Sequence, residues 1–406
     1  MSLTDLSSAV WLGRADTRAV MAALEAARPD GARFVGGCVR NTLRGAAVDD
    51  IDIATQLKPE ETIAALGAAG IRAIPTGLEH GTITAIVDGC PFEITSLRRD
   101  VETDGRRAVV AFTEDWAEDA ERRDFRLNAI YASADGRLHE VVPGSIDDAV
   151  HGRVIFIGDA DQRLREDYLR ILRFFRFNAW YGAGLDAEGL AACARQKEGL
   201  ARIAAERIWK ELKRLMEAPD PSAAMLAMDE TGVLETVLPG ANASELPALV
   251  AVEQGAGLAP DPLQRLMAMV PRRGRDVSRV TTHLRLSNAE ADRLVEWADP
   301  ALAHVLGSPP DALRRLLYRF GPRAVLDRAL IEAAQVSGAE PLAQIQAVAS
   351  DWERPVFPLG GADALAAGLR GPDVGAALRA LEEDWVASGF CLTRSELLAR
   401  LSSRTG

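Results

Sequence analysis

The sequence predicts an α+β head followed by an all-α neck, body and tail. Three observations carry that reading. Residues 1–158 mix helical spacing with short alternating stretches, whereas residues 160–406 carry helical spacing almost throughout. The chain is rich in Ala, Leu and Arg but only 5% aromatic, which favours helices over β-sandwiches. With 48% apolar residues in a chain of 406, it can bury a core for several packing units of roughly 100–200 residues each. The 34 glycines and 20 prolines are close to ordinary usage and exclude collagen-like and low-complexity classes.

The first regime opens with a helical pattern over Asp16–Arg28. Arg33-Phe34-Val35 reads as a short strand running into Gly36-Gly37, and Cys38–Arg44 as a helix stopped by Gly45. Val48–Ala54 alternates, with Ile51 and Ile53 on one face and Asp50 and Asp52 on the other. Pro59–Gly67 is a helix with proline at its start, and Ile71–Ile74 a strand. Thr82–Val87 and Phe92–Leu97 flank Asp88-Gly89, a hairpin signal. Leu97–Arg107 is charged and loop-like, Arg123–Ile130 carries a helical start, and Val154–Ile157 is a last short strand.

The second regime reads as helices over Arg163–Trp180, Ala201–Glu217, Ser222–Glu235, Leu263–Val270 and Asn288–Trp297. Further helical patterns run over Pro310–Tyr318, Val325–Gln335, Leu342–Trp352, Pro372–Trp385 and Arg394–Ser402. The resulting division is a head over 1–158, a helical neck over 159–218, and a helical body and tail over 219–406.

Several classes of protein are disfavoured. No run of 18 apolar residues is present, so no transmembrane helix is expected, and the opening residues lack the pattern of a secretory signal. Cys38, Cys90, Cys193 and Cys391 are far apart, which suits reduced thiols in the cytoplasm better than disulfides or a zinc site. The net charge is −12, unpromising for a nucleic-acid binder, but its distribution is uneven. Arg163–Arg214 holds twelve Arg/Lys against seven Asp/Glu, and Arg265–Arg328 has the same count, so each stretch carries +5. Such stretches are solvated helix faces or seats for a polyanion.

Asp50 and Asp52 at i and i+2 of a strand place two carboxylates side by side, an unfavourable pairing unless a cation lies between them. Mg²⁺, which takes one or two carboxylates plus phosphate oxygens and water, suits such a pair, although Asp-x-Asp alone also occurs in solvated turns. Upstream, Gly36-Gly37 permits close backbone approach, and Arg40 supplies a fork for phosphate oxygens. Glu93, facing opposite to Phe92 and Ile94, is a candidate third carboxylate or a plain surface residue. The segment is neither a Walker A loop nor GxGxxG.

Gly36-Gly37-Cys38-Val39-Arg40-Asn41-Thr42-Leu43-Arg44-Gly45, with Asp50-Ile51-Asp52-Ile53-Ala54-Thr55, resembles the head signature of class II CCA-adding enzymes and bacterial poly(A) polymerases. Phe92-Glu93-Ile94-Thr95-Ser96-Leu97-Arg98 is similar to the strand bearing their third carboxylate, and Glu121–Ala129 to their next motif. The resemblance spans roughly residues 33–215, with Asn41 where the family often has Asp and Arg126 where Thr is usual. It implies that Asp50 and Asp52 bind Mg²⁺ and that Glu93 helps activate a 3′-hydroxyl. It also implies that Gly37 and Arg40 position a triphosphate, and that Arg123 contacts the nucleotide.

Leu169, Ile171, Leu172, Phe174, Phe175 and Phe177 spread around nearly the whole of their helix, which predicts burial on most sides. Asp167, Arg170, Arg173 and Arg176 recur every third residue, and Asp167 and Arg170 are neighbours able to pair. Alone, this is an intrahelical ion-pair ladder. Beside a nucleotide site it has a sharper meaning. Cytosine and adenine both offer an amino donor and a ring-nitrogen acceptor, whereas guanine and uracil offer the reverse. A carboxylate only accepts and a guanidinium only donates, so an Asp–Arg pair matches C and A and mismatches G and U. The resemblance implies that Asp167 and Arg170 pair with the base while Arg173 and Arg176 help hold the site.

Arg98–Arg107 is similar to the family's flexible loop that accompanies the switch from C to A addition, and Arg98–Ala129 looks more like complete CCA-adding enzymes than poly(A) polymerases. The five histidines are scattered, with no His-Asp pair of an attached phosphohydrolase domain. The resemblance therefore implies stepwise addition of C, C and A to the tRNA acceptor end from CTP and ATP, without a nucleic-acid template. The alternatives are a poly(A) polymerase acting on general RNA 3′ ends and a catalytically silent RNA-binding relative.

Overall fold

The computed structural model describes residues 5–103, 108–336 and 340–403. The chain forms two compact units, Met1–Pro239 and Gly240–Gly406.

In the first unit, the strands are β1 (Ala32–Val35), β2 (Asp52–Thr55), β3 (Arg72–Gly77), β4 (Thr82–Val87) and β5 (Cys90–Ser96), then β6 (Arg98–Thr103), β7 (Ala108–Phe112), β8 (Ile130–Ala132) and β9 (Leu138–Glu140). Seven form one mixed sheet in the order β3-β4-β5-β2-β1-β8-β9; β6 and β7 pair with each other. Only β2 and β5 run parallel, and the remaining pairs are antiparallel. Helices α1 (Ala15–Ala27), α2 (Gly37–Leu43), α3 (Pro59–Ala68), α4 (Trp116–Glu121) and α5 (Ser145–His151) accompany the sheet. The unit continues as α6 (Ala160–Glu166), α7 (Leu169–Tyr181), α8 (Ala187–Gln196), α9 (Ala205–Met216), α10 (Ser222–Glu230) and α11 (Val233–Val237). This is the expected α+β head leading into helices.

The sheet core includes Val35, Ala54, Leu97, Ala129 and Tyr131, each under 5% exposed. A second apolar layer fixes α7 to the head. Phe125 lies 5.2 Å from Phe177, and Phe156 stacks on Phe174 at 5.5 Å. Aromatic pairs of this kind contribute about 0.5–1.5 kcal/mol each beyond their burial, so the middle of α7 is held against the head. Ile171, Leu172, Phe174 and Phe175 are fully buried, as expected for a helix enclosed on most sides.

The second unit is helical, with nine helices among the described residues from Leu246–Gly255 to Arg394–Ser403. The helix Pro310–Gln335 bends at Gly321, whose φ of 76° is non-helical, immediately before Pro322. The sequence reading of two helices there reflects that bend. Tyr318, Leu381, Trp385, Leu397 and Leu401 form its terminal core.

Several expectations need correction. Residues 98–103 are not a loop but strand β6, paired with β7; residues 104–107 lie outside the described residues. The segment Arg123–Ile130 is not an α-helix; it holds a 3₁₀ turn, Arg126–Asn128, and then enters β8. Val154–Ile157 forms no strand, only an isolated bridge from Phe156 to Phe125. The stretch Arg163–Trp180 is two helices, interrupted at Asp167, whose φ of −151° is extended.

Candidate active site

The parallel pairing of β2 with β5 builds the carboxylate edge. Asp52 opens β2 and stands in register with Glu93 on β5. Phe92 and Ile94 are buried on the core face, so Glu93 faces outward as the alternation predicts. Asp50 does not share the strand with Asp52, as the sequence suggested, but precedes it in exposed backbone. Asp52 nonetheless senses the other two carboxylates. Burial, helped by Glu93 and Asp50, pushes the half-buried Asp52 up to about 6 against the opposing pull of Arg123 and Arg40.

Gly36 has φ 72° and ψ −122°, a conformation that glycine adopts freely, and it turns the chain from β1 into α2. A Cβ there would sit 3.8 Å from the Asp52 carboxylate and 3.9 Å from the Arg123 guanidinium, so this turn lies against both groups. Arg40, on α2, is buried. Its guanidinium donates to Asn128 Oδ1 at 2.5 Å, Asn41 Oδ1 at 2.9 Å and the Tyr181 hydroxyl at 2.9 Å, and lies 4.0 Å over the Tyr181 ring. Asn41 thus orients Arg40 while its own Nδ2 donates to Ala47 O. Arg126 pairs at 2.7 Å with the fully buried Asp148 and so ties the 3₁₀ turn to α5.

The break between α6 and α7 aims the next group of side chains. Asp167 Oδ1 accepts from the backbone N–H of Leu169 and so caps α7. Its Oδ2 accepts from Arg207 of α9 at 3.1 Å. The expected Asp167–Arg170 pair is therefore replaced, because the break removes the helical spacing that would have joined them. Arg170 instead donates to Glu166 at 2.6 Å, Arg163 O at 2.9 Å and Arg122 O at 3.0 Å. Arg173 pairs with Asp124 at 2.6 Å and Arg176 with Glu211 at 2.6 Å. Arg123 is held by the buried Asp119 at 3.1 Å. Asp124 shows the reach of this network. Burial raises its carboxyl, but Arg173 and hydrogen bonds from Asn128 and the Phe125 N–H outweigh burial and hold it at about 2.

These groups line a cavity of about 540 Å³. Gly37, Arg40, Asp52, Arg123, Asp167, Arg170 and Arg173 all open onto it. Arg98, Arg122, Asp124 and Arg207 complete the charged lining, giving seven arginines against three aspartates. An excess of cationic forks over carboxylates in a cleft of this size suits a polyphosphate. A second cavity, of about 370 Å³, adjoins Gly37, Arg40, Asp50, Asp52 and Arg176. Glu93 lines neither cavity.

Among the described residues no three His, Cys, Asp or Glu side chains stand arranged as a metal cage. The donor set still fits a divalent cation. Asp52 and Asp50 lie close enough for one to raise the other, both line the second cavity, and Mg²⁺ ordinarily takes one or two carboxylates with substrate phosphates and water rather than an all-protein cage.

Sequence reasoning missed Asp119, Asp124 and Arg207 as supports of the site. Asp124 stood inside a quoted motif without an assigned role. Arg207 lies forty positions from Asp167 in a charged amphipathic helix, and no local pattern joins the two.

A mixed sheet that presents carboxylates beside an arginine-lined cavity defines a nucleotidyltransferase head. Residues 32–155 match the family model of the poly A polymerase head domain, and residues 184–244 that of the probable RNA and SrmB-binding site of polymerase A. The mitochondrial CCA tRNA nucleotidyltransferase 1 of Mus musculus is 34% identical over 392 residues, covering 90% of this chain and 85% of that protein. A CCA-adding enzyme of Geobacillus thermodenitrificans is 36% identical over 212 residues, 52% of this chain and 51% of that one. The solved Bacillus stearothermophilus CCA-adding enzyme in complex with CTP shares the fold with a TM-score of 0.74 at 24% identity, over 96% of each chain. The chain belongs to the CCA tRNA nucleotidyltransferase family.

Proposed function

We infer that this chain adds C, C and A in turn to the 3′ end of tRNA, taking CTP and ATP and releasing pyrophosphate, with the protein itself reading the incoming base. The observation that carries this reading is that one cavity holds both Asp52 and the pair Asp167 and Arg170. The identity to a CCA tRNA nucleotidyltransferase across 90% of the chain supports it.

The triphosphate lies along Gly37, Arg40 and Arg123. The base meets Asp167 and Arg170. Arg170 is held by three acceptors, which leaves its Nε–H and one Nη2–H without a protein acceptor among the described residues. Each Asp167 oxygen already accepts one hydrogen bond and keeps a further lone pair for the amino group of C or A. Guanine or uracil would set carbonyl against carboxylate and N–H against guanidinium, which is costly in a closed site. Arg173 and Arg176 keep α7 in place through Asp124 and Glu211.

Asp50 and Asp52 would hold a divalent cation, Mg²⁺ in our reading, which when bound neutralises phosphate charge and eases loss of the 3′-hydroxyl proton. The 3′-oxygen forms its bond to the α-phosphorus as the α–β bridging bond breaks, and pyrophosphate leaves with that electron pair. Glu93 takes part in activating the 3′-hydroxyl. The division into head (1–158), neck (159–218) and tRNA-gripping body and tail (219–406) follows this reading, the two +5 stretches meeting phosphates. No described helix is long and apolar enough to cross a membrane. Cys38, Cys90, Cys193 and Cys391 are all free, which suits a reducing compartment such as the cytoplasm.

Single-nucleotide incubations test this. The wild type should incorporate CTP on tRNA lacking its last three nucleotides and ATP on tRNA already ending in CC, and ignore GTP and UTP on both. Asp52→Ala, or removal of Mg²⁺ by a chelator, should abolish incorporation. Asp167→Ala should lower CTP and ATP use and erode discrimination against UTP by tenfold or more. Unchanged discrimination in Asp167→Ala would overturn the assignment of base reading.

A further inference from the structure

We propose that the 370 Å³ cavity beside Asp50 seats the 3′-terminal nucleotide of the RNA primer, with the Trp180 indole as its stacking platform and Arg214 as its phosphate contact. This rests on the nucleotidyl-transfer reading above.

The two cavities share only Gly37, Arg40 and Asp52. Transfer joins two substrates at one phosphorus, with attacking and leaving oxygens roughly in line, so the nucleophile needs a seat of its own adjoining the carboxylates. Charge decides which substrate takes which seat. The larger cavity has seven arginines against three aspartates. In the smaller one Arg40, Arg176 and Arg214 face Asp49, Asp50, Asp52 and Glu217, so that even with a divalent cation on Asp50 and Asp52 its positive charge stays well below that of the larger cavity, which is the better seat for a triphosphate. A primer end brings one phosphodiester charge per nucleotide and tolerates that balance.

Trp180 adds the second observation. Phe174, Phe175 and Phe177 of the same helix are at most 4% exposed, but Trp180 is 41% exposed and lines this cavity. Its Nε1–H donates to Arg214 O at 2.7 Å, which fixes the ring without covering its face. The neighbouring Tyr181 ring is taken by the Arg40 guanidinium, which leaves the indole as the open aromatic surface. Stacking is indifferent to base identity, and the primer end changes with every addition, so a platform rather than a hydrogen-bonding pocket is what this seat requires. Arg214 is exposed, and among the described residues its side chain forms no ion pair.

The test is steady-state kinetics on tRNA lacking its last three nucleotides. Trp180→Ala should raise the KM for tRNA about ten- to hundredfold, the fold-change of one lost base stack, with the KM for CTP within twofold of wild type. Trp180→Phe should restore most of the affinity, which separates stacking from folding. Arg214→Ala should weaken tRNA binding and reduce the slope of log affinity against log salt by about one. An unchanged tRNA KM in Trp180→Ala, or a raised CTP KM instead, overturns the proposal. If the wild type transferred no nucleotide, the catalytic reading would fail, yet the seat would still be tested by fluorescence. An RNA oligonucleotide ending in C should quench the wild type more than Trp180→Phe, and equal quenching would refute the seat.

Discussion

In the proposed reading Asp167 can meet a base because it stands outside a helix. Its backbone is extended, one oxygen caps α7, and the other is held by Arg207. Arg207→Ala should therefore loosen a carboxylate it never shares a helix with. We expect the KM for CTP and ATP to rise about tenfold and UTP misincorporation to increase, as single-turnover assays with each nucleotide would show. Asp124 offers a stability test. Burial alone would raise its carboxyl, but Arg173, Asn128 and the Phe125 N–H bring it down to about 2. A depressed acid contributes stability that is fully present above its unfolded value near 3.8 and is lost as pH falls through about 2. Urea unfolding of Asp124→Asn against wild type should show a gap on the order of 2 kcal/mol at pH 7 that narrows between about pH 4 and pH 2. A gap independent of pH would contradict the pairing. The residues that touch substrates in our reading stand in short motifs that spacing alone left ambiguous, and the family resemblance assigned their roles. Their supports were assigned none. Asp119, Asp124 and Arg207 act through contacts that only the fold creates.

The kink between α6 and α7 is the element on which the proposed base reading depends, and a glycine makes room for it. A Cβ on Gly199 would lie 2.0 Å from the Tyr168 ring, so the ring next to Asp167 would have to move. Gly199→Ala should cost about 1–3 kcal/mol of stability and raise the KM for nucleotides while leaving Arg40 and Asp52 in place. Thermal melts and CTP kinetics together check it; a neutral substitution would show that the kink tolerates displacement. Helical stepping at 100° per residue concealed this break because the apolar pattern continues through it. A signal was present in Asp167 itself, a capping residue two positions before the first helical leucine. Strand β6 was read as part of a loop because the charged, glycine-containing sequence of Leu97–Arg107 has the composition of one. Strands β8 and β9 have three residues each, too few for alternation to register. By contrast β1, β4, β5 and the buried α7 declared themselves through period and burial.

The whole chain has a net charge of −12 but concentrates +5 in each of two stretches, 163–214 and 265–328. If those stretches meet tRNA phosphates, binding should weaken steeply with salt despite the acidic total. A contact with about five phosphates gives a log–log slope near −4, measurable by filter binding between 50 and 300 mM KCl. A flat salt response would remove the body and tail from the tRNA interface. The central claim, that one cavity joins metal-assisted transfer to protein-read bases, has a more direct test. A tRNA transcript lacking its last three nucleotides is incubated with the enzyme, Mg²⁺ and all four NTPs, and the 3′ ends are sequenced, with Asp52→Ala as control. The account predicts ends that finish in CCA and stop there, and no extension by the variant. Long adenosine tails, ends scrambled with G and U, or extension that survives Asp52→Ala would contradict it.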